Sequence, residues 1–254
     1  MVVITHTLPA YGFLQYFLLG GAAFFSAIVG GISSFGSGLV LTPVLTPILG
    51  IKAVIPVMAV AMTLGNLSRV WVYRRHIQAR TLLQIMVPAL PCVLLGTYIY
   101  KVLPQNALEL VIGVFLLVII PVRRYMAKKH FTPTPAVIIG AAIVFGIVSG
   151  ALPGGGIVLM PILLGIGLIG GGIIGTDACI GMITNICKVI FFFSFSLLNY
   201  RYFLYGLLIG ACMFPGTYLA RWLLNRMHIK AHTLLIEILI LFSGLYFILS
   251  VITS

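Results

Sequence analysis

The feature that most constrains this chain is the length of its uncharged runs. No Lys, Arg, Asp or Glu occurs from Met1 to Ile51, from Thr81 to Tyr100, or from Phe131 to Thr176. Roughly 20 apolar residues span a bilayer as a helix, so these runs predict a polytopic membrane chain. Charged residues are 7% of the chain, against about 25% in soluble domains. A transmembrane β-barrel is excluded, because its strands alternate polar and apolar residues and these runs do not. The expected class is an all-α, multi-pass integral membrane protein, surrounded by lipid and placed in the cell (inner or plasma) membrane.

The net charge of +12 would suggest a nucleic-acid partner in a soluble protein. Here the basic residues sit at the ends of apolar segments, which is the positive-inside bias, and no nucleic-acid partner is expected. Cys92, Cys179, Cys187 and Cys212 lie within apolar segments without CxxC spacing and read as small buried side chains. No metal set and no cofactor is expected. No basic region precedes the first apolar run, so no cleaved signal peptide is expected.

One interruption recurs. Ser33-Ser34-Phe35-Gly36-Ser37-Gly38 breaks the first uncharged run and leads to Pro43. Ala151-Leu152-Pro153-Gly154-Gly155-Gly156 leads in the same way to Pro161, 118 residues on. Asn66 and Arg69 match Asn185 and Lys188 at an offset of 119, and Gly96-Thr97-Tyr98 matches Gly216-Thr217-Tyr218 at 120. A drift this slow fits a duplicated unit with small insertions.

The expected segments are Leu8–Val29, the short Ser37–Leu49, Ala53–Tyr73, Leu82–Tyr100 and Ala107–Val122. They repeat as Ala136–Ser149, Gly156–Ile169, Ile173–Leu198, Tyr202–Leu223 and Thr233–Thr253. Residues 1–122 form a first repeat and 136–254 a second. Residues 123–135 form a basic cytoplasmic linker whose prolines forbid a continuous helix. The connection at Arg74, Arg75 and Arg80 is basic, whereas its counterpart carries only Arg201. The connection holding Lys101 is weak, whereas its counterpart carries Arg221, Arg226 and Lys230. Basic loops favour the cytoplasm, so equivalent loops lie on opposite faces. The expectation is two inverted-topology repeats of about five crossings each, with a short Gly/Pro-broken helix in each.

A helix that starts inside a membrane protein presents unpartnered N–H groups and partial positive charge, which suits anions. The candidate binding set is Ser33, Ser34, Gly36, Ser37 and Gly38 from the first break and Gly154, Gly155 and Gly156 from the second. Asn66, Arg69, Asn185 and Lys188 complete it, each Asn sharing a helix face with a cation three residues on. Glycine packing, snorkelling of Arg69 and interhelical bonding by the asparagines compete with this reading. Asp177, eleven residues before Lys188, either neutralises that lysine across a neighbouring helix or holds a coupling proton. Glu109 suits the first turn of its segment. The five histidines read as loop or interfacial residues.

These stretches resemble the paired glycine-rich motifs of the TauE/SafE sulfite exporter family, also called the toluene-sulfonate uptake permeases. The resemblance rests on Phe35–Leu45 and Pro153–Leu163, with Asn66–Arg75, Gly175–Ala178 and Asn185–Lys188. Ser37 departs from it, since the family usually has a third glycine there, which implies a stiffer first break. The resemblance implies a transporter of small sulfur-containing anions such as sulfite, sulfoacetate or other organosulfonates. The residues are read as an alternating-access carrier, with an anion channel as the alternative. An enzyme is not expected, because the chain has three acids and no Ser/His arrangement. A coupling proton and a second copy of the chain are further candidate partners.

Overall fold

The computed structural model describes residues 13–33, 36–128, 132–152, 155–224, 238 and 241–251. Among these, the regular structure is helical: α1 Phe13–Ser33, α2 Gly36–Leu49, α3 Ile51–Tyr73, α4 Ala79–Val102, α5 Gln105–Lys128, α6 Pro135–Ala151, α7 Gly156–Gly165, α8 Gly171–Ser194, α9 Tyr200–Leu224 and α10 Leu241–Val251. A 3₁₀ turn at Arg74–His76 closes α3. Among the described residues, four helices are long and apolar enough to cross a membrane. Large apolar side chains face outward, with Val87, Leu208 and Phe242 each more than 60% exposed. Such a surface suits lipid, where only internally satisfied backbone can reside.

Helix ends depart from the sequence expectation where apolar runs carry no boundary signal. The first segment continues past Val29, so Ser33 is the last residue of α1 rather than part of the break. The second broken segment ends at Gly165, before Ile169, and left-handed Gly167 and Gly170 turn the chain into α8. Ser196, at φ 58°, follows the end of α8, short of the expected Leu198. Glu109 lies in the second turn of α5, not the first. It is buried, accepting from Gln105 at 3.2 Å and from Ser250 of α10 at 2.7 Å. Of the last expected segment, 233–237, 239–240 and 252–253 lie outside the described residues.

The packing has a regular plan. α1 packs on α9, α4 on α6, and α3 on both α8 and α9, while α4 also packs on α8. Glycines make the crossings close. A Cβ on Gly146 would meet Ala89 and Cys92 of α4, and one on Gly150 would meet Val93 and Gly96, so α4 and α6 run parallel. Gly216 meets Phe24 and Ala27, while Gly31 meets Thr217 and Ala220, so α1 and α9 also run parallel. α3 and α8 are antiparallel: Tyr73 meets Gly175 near the start of α8, and Asn66 meets Gly181 farther along. α5 and α10 are antiparallel as well, with Glu109 near Ser250 and Leu117 near Gly244.

α2 returns beside α3. Ser37 Oγ lies 3.3 Å from Met62 Sδ, whereas Leu49 leads through Gly50 directly into Ile51. Pro43 and Pro47 remove two backbone donors from this short helix. Thr42 and Thr46 donate to the carbonyls of Gly38 and Thr42 at 2.5 and 2.8 Å. Their hydroxyls thereby bury without loss of partners, since Thr42 is 0% exposed.

The close crossings give a first expected outcome. A Cβ on Gly96 would overlap the Ile147 carbonyl and fall 3.0 Å from Gly150 Cα, which is backbone that cannot step aside. Gly96→Val costs about 1–3 kcal/mol or more through overpacking. Size-exclusion chromatography in detergent should show a sharp loss of the monodisperse peak, whereas Gly140→Val, with nothing near its Cβ, keeps it.

Candidate functional site

Three helix ends, two of them buried, raise one physical problem. Their last carbonyls lack intrahelical donors, and the helix dipole makes those ends negative. In each case a basic side chain from a neighbouring helix answers it. Lys52 donates to the carbonyls of Tyr100 and Lys101, at 3.3 and 3.4 Å, and to that of Leu103, at the end of α4. Arg69 Nη1 donates to the carbonyl of Gly30, in the last turn of α1, at 3.2 Å. Lys188 Nζ donates to the carbonyl of Ser149, in the last turn of α6, at 2.7 Å.

The last two contacts match in detail. Gly30 and Ser149 are 119 residues apart, and so are Arg69 and Lys188. The breaks beyond them match too, with a twist. A Cβ on Gly30 would fall 2.5 Å from Ser37 Cβ and Oγ, while one on Gly155 would collide with Ser149. Each break therefore sets a glycine against a serine, and the serine changes sides: it follows the break in one case and precedes it in the other. This accounts for Ser37 as the departure from the glycine motif.

Both breaks open onto one cavity of about 90 Å³, several times the space that a single water needs. Its polar wall brings together Ser37, Gly38, Asn66 and Arg69 with Gly155, Gly156, Asn185 and Lys188. Asp177 also lines it. Arg69 and Lys188 are 6% and 5% exposed, so neither snorkels to a membrane surface. Asn66 accepts from Arg69 Nη2. The apolar wall includes Ile55, Met58, Phe145 and Leu152. Of the remaining sequence candidates, Ser33 ends α1 and Gly36 opens α2, while Ser34 and Gly154 lie outside the described residues.

The charge that acts on Asp177 is Arg69, not Lys188. The antiparallel α3 and α8 bring the Arg69 end of one beside the Asp177 end of the other, whereas Lys188 lies about 16 Å farther along α8 at 1.5 Å per residue. Ser149, absent from the sequence-derived set, belongs to the site: it lines the cavity and fixes Lys188 through its carbonyl. No side-chain signal marks it in the sequence, because it acts through its backbone carbonyl. Among the described residues no His, Cys, Asp and Glu cluster could hold a metal.

A bundle of apolar helices around a buried, basic, polar-walled cavity, with broken helices opening onto it, is a multi-pass membrane protein of the transport class. The sulfite exporter TauE/SafE family model matches residues 19–247, and the chain belongs to that family of membrane transporters. No curated protein and no solved structure matches the chain.

Proposed function

We propose that the protein carries a small sulfur-containing anion, sulfite or a short organosulfonate, across the cell membrane by alternating access. One observation carries this reading: two separate chain breaks, each with its buried cation at a matching position, open onto the same cavity. An oxyanion there meets backbone donors at the starts of α2 and α7, the Ser37 hydroxyl, the Asn66 and Asn185 amides, and the positive charges of Arg69 and Lys188.

The motion follows from an inverted repeat of residues 1–122 and 136–254, joined by the basic stretch 123–135. Helix direction supports this. An upside-down copy makes α3 oppose α8 and α5 oppose α10, and aligns α1 with α9 and α4 with α6; a copy in the same orientation would reverse all four. The contacts run in the first sense. With these directions Arg74, Arg75, Arg80, the end of α5 at Arg123, Arg124 and Lys128, and Arg221 at the end of α9 gather at one face, the cytoplasmic one by the positive-inside rule. The two halves then rock about the cavity and expose it to each side in turn.

Proteoliposome flux tests the carrier. Uptake of radiolabelled sulfite is expected to saturate and to rise when unlabelled sulfite is loaded inside. A large, unsaturable conductance without such exchange would mark a channel instead.

A further inference from the structure

The cavity wall carries unequal formal charge, and that inequality bears on which anions it accepts. Its charged residues, among those described, are Arg69, Lys188 and Asp177. α2 and α7 begin at the cavity and α6 ends there, but a helix end carries only about half an elementary charge, less than an ionised side chain. The three side chains therefore decide. All three are buried, at 6, 5 and 7% exposure. From the elements packed on α8, Arg69 and Tyr73 of α3 and His76 of the 3₁₀ turn approach its first turns. α6 and α7 contain no ionisable side chain. On α4, Arg80, Cys92, Tyr98, Tyr100 and Lys101 all stand outside the cavity wall.

Resting on the carrier reading, we propose that Asp177 is a specificity-determining residue that restricts the site to singly charged oxyanions. When ionised, Asp177 opposes Arg69 and leaves the wall with one net positive charge. A monoanion such as an alkylsulfonate or hydrogen sulfite brings the buried site to neutrality. A dianion such as sulfate or thiosulfate leaves an uncompensated negative charge in a dry interior, and it faces the Asp177 carboxylate at the Arg69 end. The residue 119 positions before Asp177 is Met58, which also lines the cavity. The two halves of the wall thus match in their cations and differ in this acid, so the carboxylate is not a by-product of matching sequence.

Thermal unfolding of the purified full chain in detergent tests this, with methanesulfonate as the fixed monoanion and sulfate as the fixed dianion near neutral pH. A ligand that binds the native state raises the midpoint. The wild-type protein is expected to respond to methanesulfonate at concentrations at least about tenfold lower than to sulfate, and Asp177→Asn to shift that ratio toward sulfate by about tenfold or more. Asp177→Glu keeps the charge and is expected to keep the wild-type preference, which preserves the test if the Asn variant does not fold. An Asn variant with the wild-type ratio, or a wild-type protein that prefers sulfate, overturns the charge rule while leaving the carrier standing. A wild-type protein that neither responds to nor transports any of these anions overturns both.

Discussion

Lys188→Met should reduce sulfite flux by about 100-fold while the protein remains folded. The flux loss follows from the ligand contact: a hydrogen bond to a charged group contributes about 1.5–3 kcal/mol, and each 1.4 kcal/mol is a factor of ten. Losing one such contact and the positive charge together gives the stated range. Stability behaves differently because two effects oppose. The Ser149 carbonyl loses its donor, which costs about 1–3 kcal/mol for a buried group. Removing a buried ammonium offsets part of that, since desolvating an ion costs several kcal/mol. Flux in proteoliposomes and the melting midpoint, measured on one preparation, separate the two. Wild-type flux in the Met variant would remove Lys188 from the site; an unfolded variant would make it a structural cap alone.

The second large effect concerns the exchanged serine. Gly155→Ser should impair folding and transport severely, because its Cβ would fall 2.8 Å from Ser149 Cα and collide with the Ser149 hydroxyl. Overpacking of this kind costs about 1–3 kcal/mol. Ser149→Gly alone should cost about 0.5–1 kcal/mol, as glycine does inside a helix. The double variant places Gly before the break and Ser after it, the arrangement of Gly30 and Ser37 in the first half. It should recover the part of the loss that the Ser149 side chain causes, with a coupling of about 1 kcal/mol or more between the two sites. Losses that simply add would mean that the two breaks are not equivalent structures.

The sequence made the membrane class, the two breaks and the Arg69–Lys188 correspondence legible, because each leaves a mark that apolar neighbours cannot blur: absent charge, clustered glycine, or a rare buried cation. It left helix ends illegible for the same reason. Between Val29 and Ser33, or Gly165 and Ile169, no side chain announces where the helix stops; a left-handed glycine or a basic residue from another helix decides it. The partner of Asp177 was also out of reach. Face-sharing along α8 pointed to Lys188, but the relevant neighbour comes from α3, and only the antiparallel packing of those helices brings Arg69 there. Ser149 was hidden because its backbone carbonyl, not its side-chain type, holds Lys188.

Transport by this route requires an anion in the cavity between the breaks, and a cysteine-protection measurement tests that occupancy. Ser37→Cys, in a chain whose four native cysteines are replaced, puts a thiol in the cavity wall beside the first break. Its alkylation by N-ethylmaleimide should slow several-fold with saturating methanesulfonate, and this protection should vanish when Lys188→Met is added. Equal alkylation rates with and without the anion, in a protein that still transports sulfite, would contradict the account by placing the anion elsewhere.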